Sequence, residues 1–452
     1  MNKRTALLLI AFCCAGTPHL FAKDAPAAAA ATPQSTPLEI TAKTFRQAAE
    51  YSREHDGFSA LVMLDGKILF EDYAPGRTPD MPAELASGTK SFSGITAIAA
   101  QQDGLLKLDE KVSDTITEWK KDPKKSAITI RQLLTLTSGL PGDGVGAPPP
   151  YAEALQAQLV ATPGTSFHYG PVPFQVFGEL MKRKLATKGQ TAHDYLQERV
   201  LKPAGINVAE WRKGRDGNYQ MPSGARMTAR EWAKFGQFIV NGGTANGKEI
   251  LPAAAINQCF KGTKVNPTYG LTFWLNAIDT EDHFPALITG NGLEGIVTQK
   301  VVSSPMYVAA GLGKQRLYMI PDQKLIIVRQ GKLSGKTFRD DNFLSLLFHG
   351  KMAVTEKEAA KTADATTTTP AAAKRAIDPS TPGPLFKRLD KNGDGKLSAD
   401  EVPAQLKLKE LDKNGDGAVS WEEYRSQRSG AMQGVQHDRE QNQRRRRKSA
   451  SQ

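Results

Sequence analysis

Apolar residues fall into two strand-length hairpins separated by a helix-patterned middle. FSALVML (58–64) and KILFEDYA (67–74) are rich in β-formers and flank Asp65-Gly66, a pair suited to a two-residue turn. RLYMI (316–320) and KLIIVRQ (324–330) flank Pro321-Asp322 in the same way. Between the hairpins, apolar positions recur at helical spacing over 93–102, 130–137, 174–185 and 228–240. Early strands, a helical middle and late strands predict an α+β fold, an α/β sandwich. One antiparallel sheet is built from both ends of the domain, with helices packed against it.

The pattern fails at both ends of the chain. Residues 1–22 read as a signal peptide: Lys3 and Arg4, the apolar run ALLLIAFCC (6–14), then Ala22 as a small-residue cleavage point. The run is shorter than the roughly 20 residues that span a bilayer, so the chain is expected to be periplasmic or secreted and not transmembrane. Residues 23–40 form an Ala/Pro linker, 41–350 the patterned domain, and 351–384 a Thr/Ala/Pro linker. A small module (385–428) and a basic tail (429–452) follow.

Composition changes the picture in two places. Of three cysteines, Cys13 and Cys14 lie in the signal, which leaves Cys259 with no partner for an internal disulfide. Stability in an oxidising compartment must then come from packing. The net charge is +12, and RRRRK (444–448) concentrates part of it in the tail. With no aromatic residues interleaved, the tail reads as a solvated segment that meets anionic surfaces, not as a specific nucleic-acid site.

DKNGDGKLSADE (390–401) and DKNGDGAVSWEE (412–423) are an internal repeat with the twelve-residue EF-hand loop pattern. Hard oxygen ligands fall at alternating places. The first loop offers Asp390, Asn392, Asp394, the carbonyl of Lys396, Ser398 and Glu401; the second offers Asp412, Asn414, Asp416, the carbonyl of Ala418, Ser420 and Glu423. Gly395 and Gly417 stand where the backbone must turn sharply. Two complete loops predict a small α-helical module binding two Ca2+ ions. Their close spacing resembles the compact EF-hand pairs of secreted bacterial proteins, which suits a structural or docking role.

The candidate chemistry lies in SGTKSFSG (87–94). Ser87 stands at a helix start, where a free N–H and the positive dipole end favour an oxyanion. Lys90 is one turn on, on the same face. No further charge occurs until Asp103, so the helix is expected to be buried, and a buried lysine gives up its proton readily.

SGTKSF, DGLLKLDEKVSD, ITIRQLLTLTSGLP (128–141), TPGTSFHYG (162–170), SGARMTAREWAKFGQFIVNGG (223–243), YGLTFWLN (269–276) and AAGLGKQRLYMIP (309–321) occur in that order. Together they resemble the serine β-lactamase/penicillin-binding-protein family, in particular its class C-like esterases and 6-aminohexanoate-dimer hydrolases. The resemblance covers about residues 45–350. It implies a β-lactamase/DD-peptidase-like fold, with an antiparallel sheet flanked by helices plus a helical subdomain, acylation of Ser87, assistance from Lys90, and Tyr169 as the third member of the set. It also implies a second oxyanion donor at the N–H of Leu312, between Gly311 and Gly313. Trp274 is expected in the core or the pocket wall, and no cofactor is expected in this site.

The sequence departs from that family's pattern. Tyr169-Gly170-Pro171 replaces Tyr-x-Asn, Gly311-Leu312-Gly313 stands where K-T-G is expected, no S-D-N occurs, and Leu136 occupies a place where many relatives have His. Lys314 and Arg316 are left as candidates for a carboxylate contact. The expected function is a secreted serine hydrolase that cleaves an ester or small amide through an acyl-Ser87 intermediate, with a calcium-binding appendage. The alternatives are a D-Ala-D-Ala carboxypeptidase or β-lactamase acting on cell-wall peptide or β-lactams, and a binding protein of the same fold that has lost turnover. For the EF-hand module and the tail, a docking partner or an anionic surface is the expected contact.

Overall fold

A computed structural model describes residues 40–142, 147–276, 301–302, 304–335 and 337–354, and from the C-terminal repeat residues 390, 392, 394–398, 401, 412 and 414–423. The expected signal peptide, nearly all of both linkers and the basic tail lie outside the described residues. The chain divides into two compact units, residues 1–355 and 356–452.

In the first unit, helix α1 (Ala42–Glu54) begins at Thr41, whose side chain forms a capping box with Thr44. Strands β1 (Gly57–Leu64) and β2 (Lys67–Tyr73) form the first predicted hairpin. Asp65 and Gly66 have φ of +46° and +80°, the two left-handed residues that such a turn requires. Helices α2 (Lys90–Gln102), α3 (Val172–Lys184) and α4 (Ala229–Val240) follow. Short β3 (Trp274–Leu275) precedes β4 (Tyr307–Gly311), β5 (Gln315–Ile320), β6 (Leu325–Gly331) and the closing α5 (Asp340–His349).

The sheet is antiparallel and six-stranded, in the order β2-β1-β6-β5-β4-β3. The first and last hairpins therefore meet at its centre, with Leu61 opposite Val328 and Met63 opposite Ile326. Strands β5 and β6 are buried along their whole length, so both faces are covered. Side chains alternate between the two layers. Leu317 and Ile326 meet α4 at Gly236, whereas Arg316 and Tyr318 meet Asp340 at the start of α5, and Arg329 meets Ser52 of α1.

One expected helix is shorter than the pattern suggested. The helix expected over 130–137 ends at Leu134. Leu136 turns left-handed (φ +59°), and its carbonyl accepts the N–H of His168 at 2.9 Å. A tertiary bond thus overrides helical periodicity. Among the described residues, no helix is long and apolar enough to cross a membrane.

In the second unit, Lys396–Leu397 pairs antiparallel with Val419–Ser420, which joins the two acidic loops. Leu397 and Val419 are fully buried there.

Candidate active site

Ser87 lies in a single 3-10 turn, Ala86–Thr89, that leads into α2. The expectation that Ser87 itself opens the α-helix is corrected by one turn, since α2 begins at Lys90. Ala86 is left-handed with φ +46°, a conformation that costs a non-glycine residue about 1–2 kcal/mol. The surroundings fix it. Leu85 N–H donates to the Ala225 carbonyl (3.0 Å), Gly88 N–H to the Leu85 carbonyl (2.9 Å), and Ala225 N–H to Thr89 Oγ1 (3.2 Å).

Lys90 is buried, at 4% exposure. Its Nζ donates to Ser87 Oγ at 2.9 Å and to the Pro222 carbonyl at 3.3 Å. The same nitrogen stands 4.8 Å from the centre of the Tyr169 ring and 5.4 Å from that of Phe174. Loss of solvent holds its ammonium down at about 7, with no charged neighbour among the described residues offsetting the effect. Tyr169 is partly exposed as a residue. Burial pushes its phenol up to about 12, against the opposing pull of a hydrogen bond with Ser87 and of the Arg316 charge. Ser87, Lys90 and Tyr169 are therefore brought together.

Trp274 is buried behind Tyr169, with ring centres 5.6 Å apart, and Tyr269 and Phe167 complete that wall. Leu312, Gly313 and Lys314 connect β4 to β5, and Leu312 is 47% exposed. A Cβ at Gly311 would stand 2.1 Å from the Leu85 carbonyl oxygen and 3.1 Å from Gly88 N. The end of β4 thus touches the Ser87 turn through bare backbone. Among the described residues, no acceptor takes the N–H of Ser87 or of Leu312.

The Leu312 turn is held from behind by two fully buried arginines. Arg329 Nη1 donates to the carbonyls of Gly313 (2.7 Å) and Lys314 (3.1 Å), and its Nη2 to the carbonyl of His55 (2.6 Å). Arg316 Nη1 donates to the Gly311 carbonyl at 3.3 Å. A trans peptide directs its C=O and N–H oppositely, so the Leu312 N–H points away from that guanidinium. Arg316 also forms a two-bond pair with Asp340 (2.6 and 3.1 Å). The expectation that Arg316 could contact a substrate carboxylate is corrected: this cation is spent inside the fold. Its signal was present in the sequence, since Arg316 and Arg329 each interrupt an apolar strand, but which face they take depends on sheet register.

The other departures have structural counterparts. Pro171 caps α3 at its N-terminus. Leu136 is buried and holds the 166–170 loop through its carbonyl. His168 Nε2 bonds Ser166 Oγ at 2.7 Å.

In the second unit the two loops fold alike. Asp390 accepts from Gly395 N–H and Asp412 from Gly417 N–H, both at 2.9 Å. Glu401 accepts from Asn392 N–H and Glu423 from Asn414 N–H, both at 3.1 Å. Gly395 and Gly417 have φ of +82° and +85°. Glu401 and Glu423 are buried and turned inward. This hard-oxygen set fits calcium. The acidic groups here bond loop N–H groups, and no three of them converge among the described residues. Lys396 Nζ meanwhile pairs with Asp416 of the other loop at 2.9 Å.

A family model described as EF hand matches residues 384–402 and 407–426. Protein flp of Staphylococcus aureus strain MW2 is 28% identical over 177 residues, which cover 33% of this chain and 35% of that protein. The chain thus spans about a third of the length of such curated relatives. A solved structure from Bacillus anthracis, assigned as a 6-aminohexanoate-dimer hydrolase, superposes with a TM-score of 0.52 at 18% identity, covering 71% of this chain and 82% of that one. A penicillin-binding protein homolog from Caulobacter crescentus gives 0.51 at 15%, covering 70% and 98%. These likenesses show the β-lactamase/penicillin-binding-protein fold. A family model described as Beta-lactamase matches residues 41–347, more than half of the chain, and the chain belongs to that family, with an EF-hand pair following the domain.

Proposed function

We propose that residues 41–350 form a serine hydrolase that cleaves an ester or small amide through an acyl-Ser87 intermediate. The carrying observation is the 2.9 Å contact between Lys90 Nζ and Ser87 Oγ, with the Tyr169 phenol on the same hydroxyl. A lysine held near 7 is more than half neutral above that pH, whereas a phenol near 12 is almost wholly protonated there. Lys90 is therefore the base and Tyr169 the proton relay. Ser87 Oγ bonds the acyl carbon as its proton passes to Lys90. The tetrahedral oxyanion is met by the N–H groups of Ser87 and Leu312. Collapse breaks the bond to the leaving oxygen or nitrogen, which takes a proton through Tyr169. Water then attacks the acyl-serine, and the proton path runs in reverse.

Exposed Leu312 at the turn and the internal pairing of Arg316 favour a substrate end without a carboxylate. The reading thus prefers esters over β-lactams or D-Ala-D-Ala peptides. Residues 1–22 act as an export signal, and residues 385–428 bind two calcium ions as a docking or structural appendage. The test is labelling by a fluorescent phosphonate and hydrolysis of short-chain p-nitrophenyl esters, on wild type and Ser87→Ala. Both activities are expected in wild type, and both are lost in the variant. Ester hydrolysis that survives in Ser87→Ala removes the nucleophile assignment.

A further inference from the structure

Among the described residues, Lys90 Nζ has two hydrogen-bond partners, and the first is Ser87 Oγ. Its second partner is a main-chain oxygen, the Pro222 carbonyl. A carbonyl can orient an amine only if its own peptide is fixed. The Gln175 carboxamide, one turn along α3 from Pro171, is 2% exposed and is bonded at both ends. Its Nε2 donates to the Pro149 carbonyl at 2.6 Å, and its Oε1 accepts the N–H of Met221 at 3.1 Å. Met221 immediately precedes Pro222. Phe174, next to Gln175 on α3, presents its ring to the same Lys90 nitrogen.

We infer that Gln175 is a positioning residue for Lys90, acting through the Met221–Pro222 main chain to keep the Pro222 carbonyl on the amine. With one N–H committed to that carbonyl, the amine is turned so that it faces Ser87 Oγ. Neighbouring peptides are tied by other side chains. Tyr151 O–H donates to the Tyr219 carbonyl (2.9 Å) and Trp211 Nε1 to the Gln220 carbonyl (3.0 Å). These hold the segment as a whole. Gln175 is the side chain bonded to the residue adjoining Pro222. The groups facing Lys90 are Ser87 and the rings of Tyr169 and Phe174.

This inference rests on the proposed hydrolase for its consequence but not for its geometry, and its test separates the two. Full-length protein carrying 13C-labelled lysine is titrated by NMR, with the Lys90 signal assigned by its loss in Lys90→Gln. Gln175→Met removes both hydrogen bonds at nearly constant volume. Losing a charge-assisted acceptor disfavours the ammonium, so the Lys90 titration midpoint is expected to fall by about one pH unit. On a p-nitrophenyl ester, kcat is expected to fall at least about tenfold with KM within about twofold, since the amine and not the substrate contact is disturbed. Should Gln175→Met fail to fold, Gln175→Asn withdraws the carboxamide from its partners by one methylene. It must move Lys90 in the same direction by a smaller amount. An unmoved midpoint overturns the inference, as does an upward shift, which means water entry through lost packing. A lowered midpoint in a protein that hydrolyses no ester retains the positioning role and removes the proposed function.

Discussion

Replacing Lys90 by methionine should abolish hydrolysis and make the protein more stable. Burial brings the Lys90 ammonium from an ordinary 10.5 to about 7. Between those values the unfolded lysine holds a proton that the folded one has lost. Stability therefore rises with pH across that window, and the full cost applies below about 7. At about 1.4 kcal/mol per pH unit, the cost reaches about 5 kcal/mol as an upper bound. Methionine is close to lysine in shape and fits between the Tyr169 and Phe174 rings. It leaves the Pro222 carbonyl without its lysine donor, a loss of about 1–3 kcal/mol. The net gain at pH 6 is then about 2–4 kcal/mol, or about 3–6 °C in the melting temperature of a domain this size. At pH 9 the lysine cost has fallen to about 2 kcal/mol, so the two proteins should nearly coincide. The assay is calorimetry of the transition of residues 41–350 in both proteins at pH 6, 7, 8 and 9. Groups common to both titrate alike and cancel. Wild-type kcat/KM on a p-nitrophenyl ester should rise about tenfold per pH unit up to about 7 and then level, at the same midpoint. A variant less stable than wild type at pH 6, or a stability difference that ignores pH, refutes the assignment of Lys90 as a desolvated base.

Tyr169→Phe should retain the fold, because the ring keeps its contacts with Trp274 and Tyr269, and should lose about a thousandfold in ester hydrolysis, read as kcat. Gly311→Ala should cost about 1–3 kcal/mol in denaturant unfolding and most of the activity, because its methyl would meet the Leu85 carbonyl, a backbone atom that cannot swing aside. Arg316→Met should destabilise by about 3–5 kcal/mol by leaving the Asp340 carboxylate buried with the Tyr318 hydroxyl but without its cation, and Arg316→Met with Asp340→Leu should recover much of that loss. Calorimetric calcium titration should give two sites, with one lost in Glu401→Gln and one in Glu423→Gln. EDTA should leave ester hydrolysis intact.

The hairpins were legible because Asp65-Gly66 and Pro321-Asp322 are local turn signals and the flanking residues are rich in β-formers. Ser87 and Lys90 were legible as a pair because their spacing is fixed within one turn. The burial of α2 was legible from its lack of charge. Less of the support was readable. Whether Arg316 faces the substrate or the core depends on alternation along β5 and on Asp340, 24 residues away, and no local pattern encodes that. The early end of the helix at Leu134 depends on His168, which the chain brings back only after a long excursion. The Pro222 carbonyl left no trace at all, since every residue has a carbonyl and only the fold selects which one meets an amine.

On the proposed reading, the placement of charge also accounts for the missing third motif. A cation in front of the scissile bond would serve a substrate carboxylate. Here the two guanidinium groups lie behind the Leu312 turn and bond its carbonyls at Gly311, Gly313 and Lys314. Positive charge at the carbonyl end of a peptide strengthens the donor character of the N–H at its other end, and fixes its direction before any substrate arrives. Arg316 does this at the Gly311–Leu312 peptide, whereas Arg329 fixes the turn through the next two carbonyls; among the described residues its hydrogen bonds go to main-chain carbonyls and Ser52 Oγ, and burial lowers its ionisation to about 10, still well above neutrality. The charge is therefore retained across the pH range in which Lys90 works as a base. A site organised this way stabilises negative charge that develops on the acyl oxygen and offers exposed Leu312, not a cation, to the group beside it. Nitrocefin carries a carboxylate and short-chain esters do not, so kcat/KM should favour the ester on the same preparation. The reverse order would mean that Lys314 or another cation reaches the front of the site.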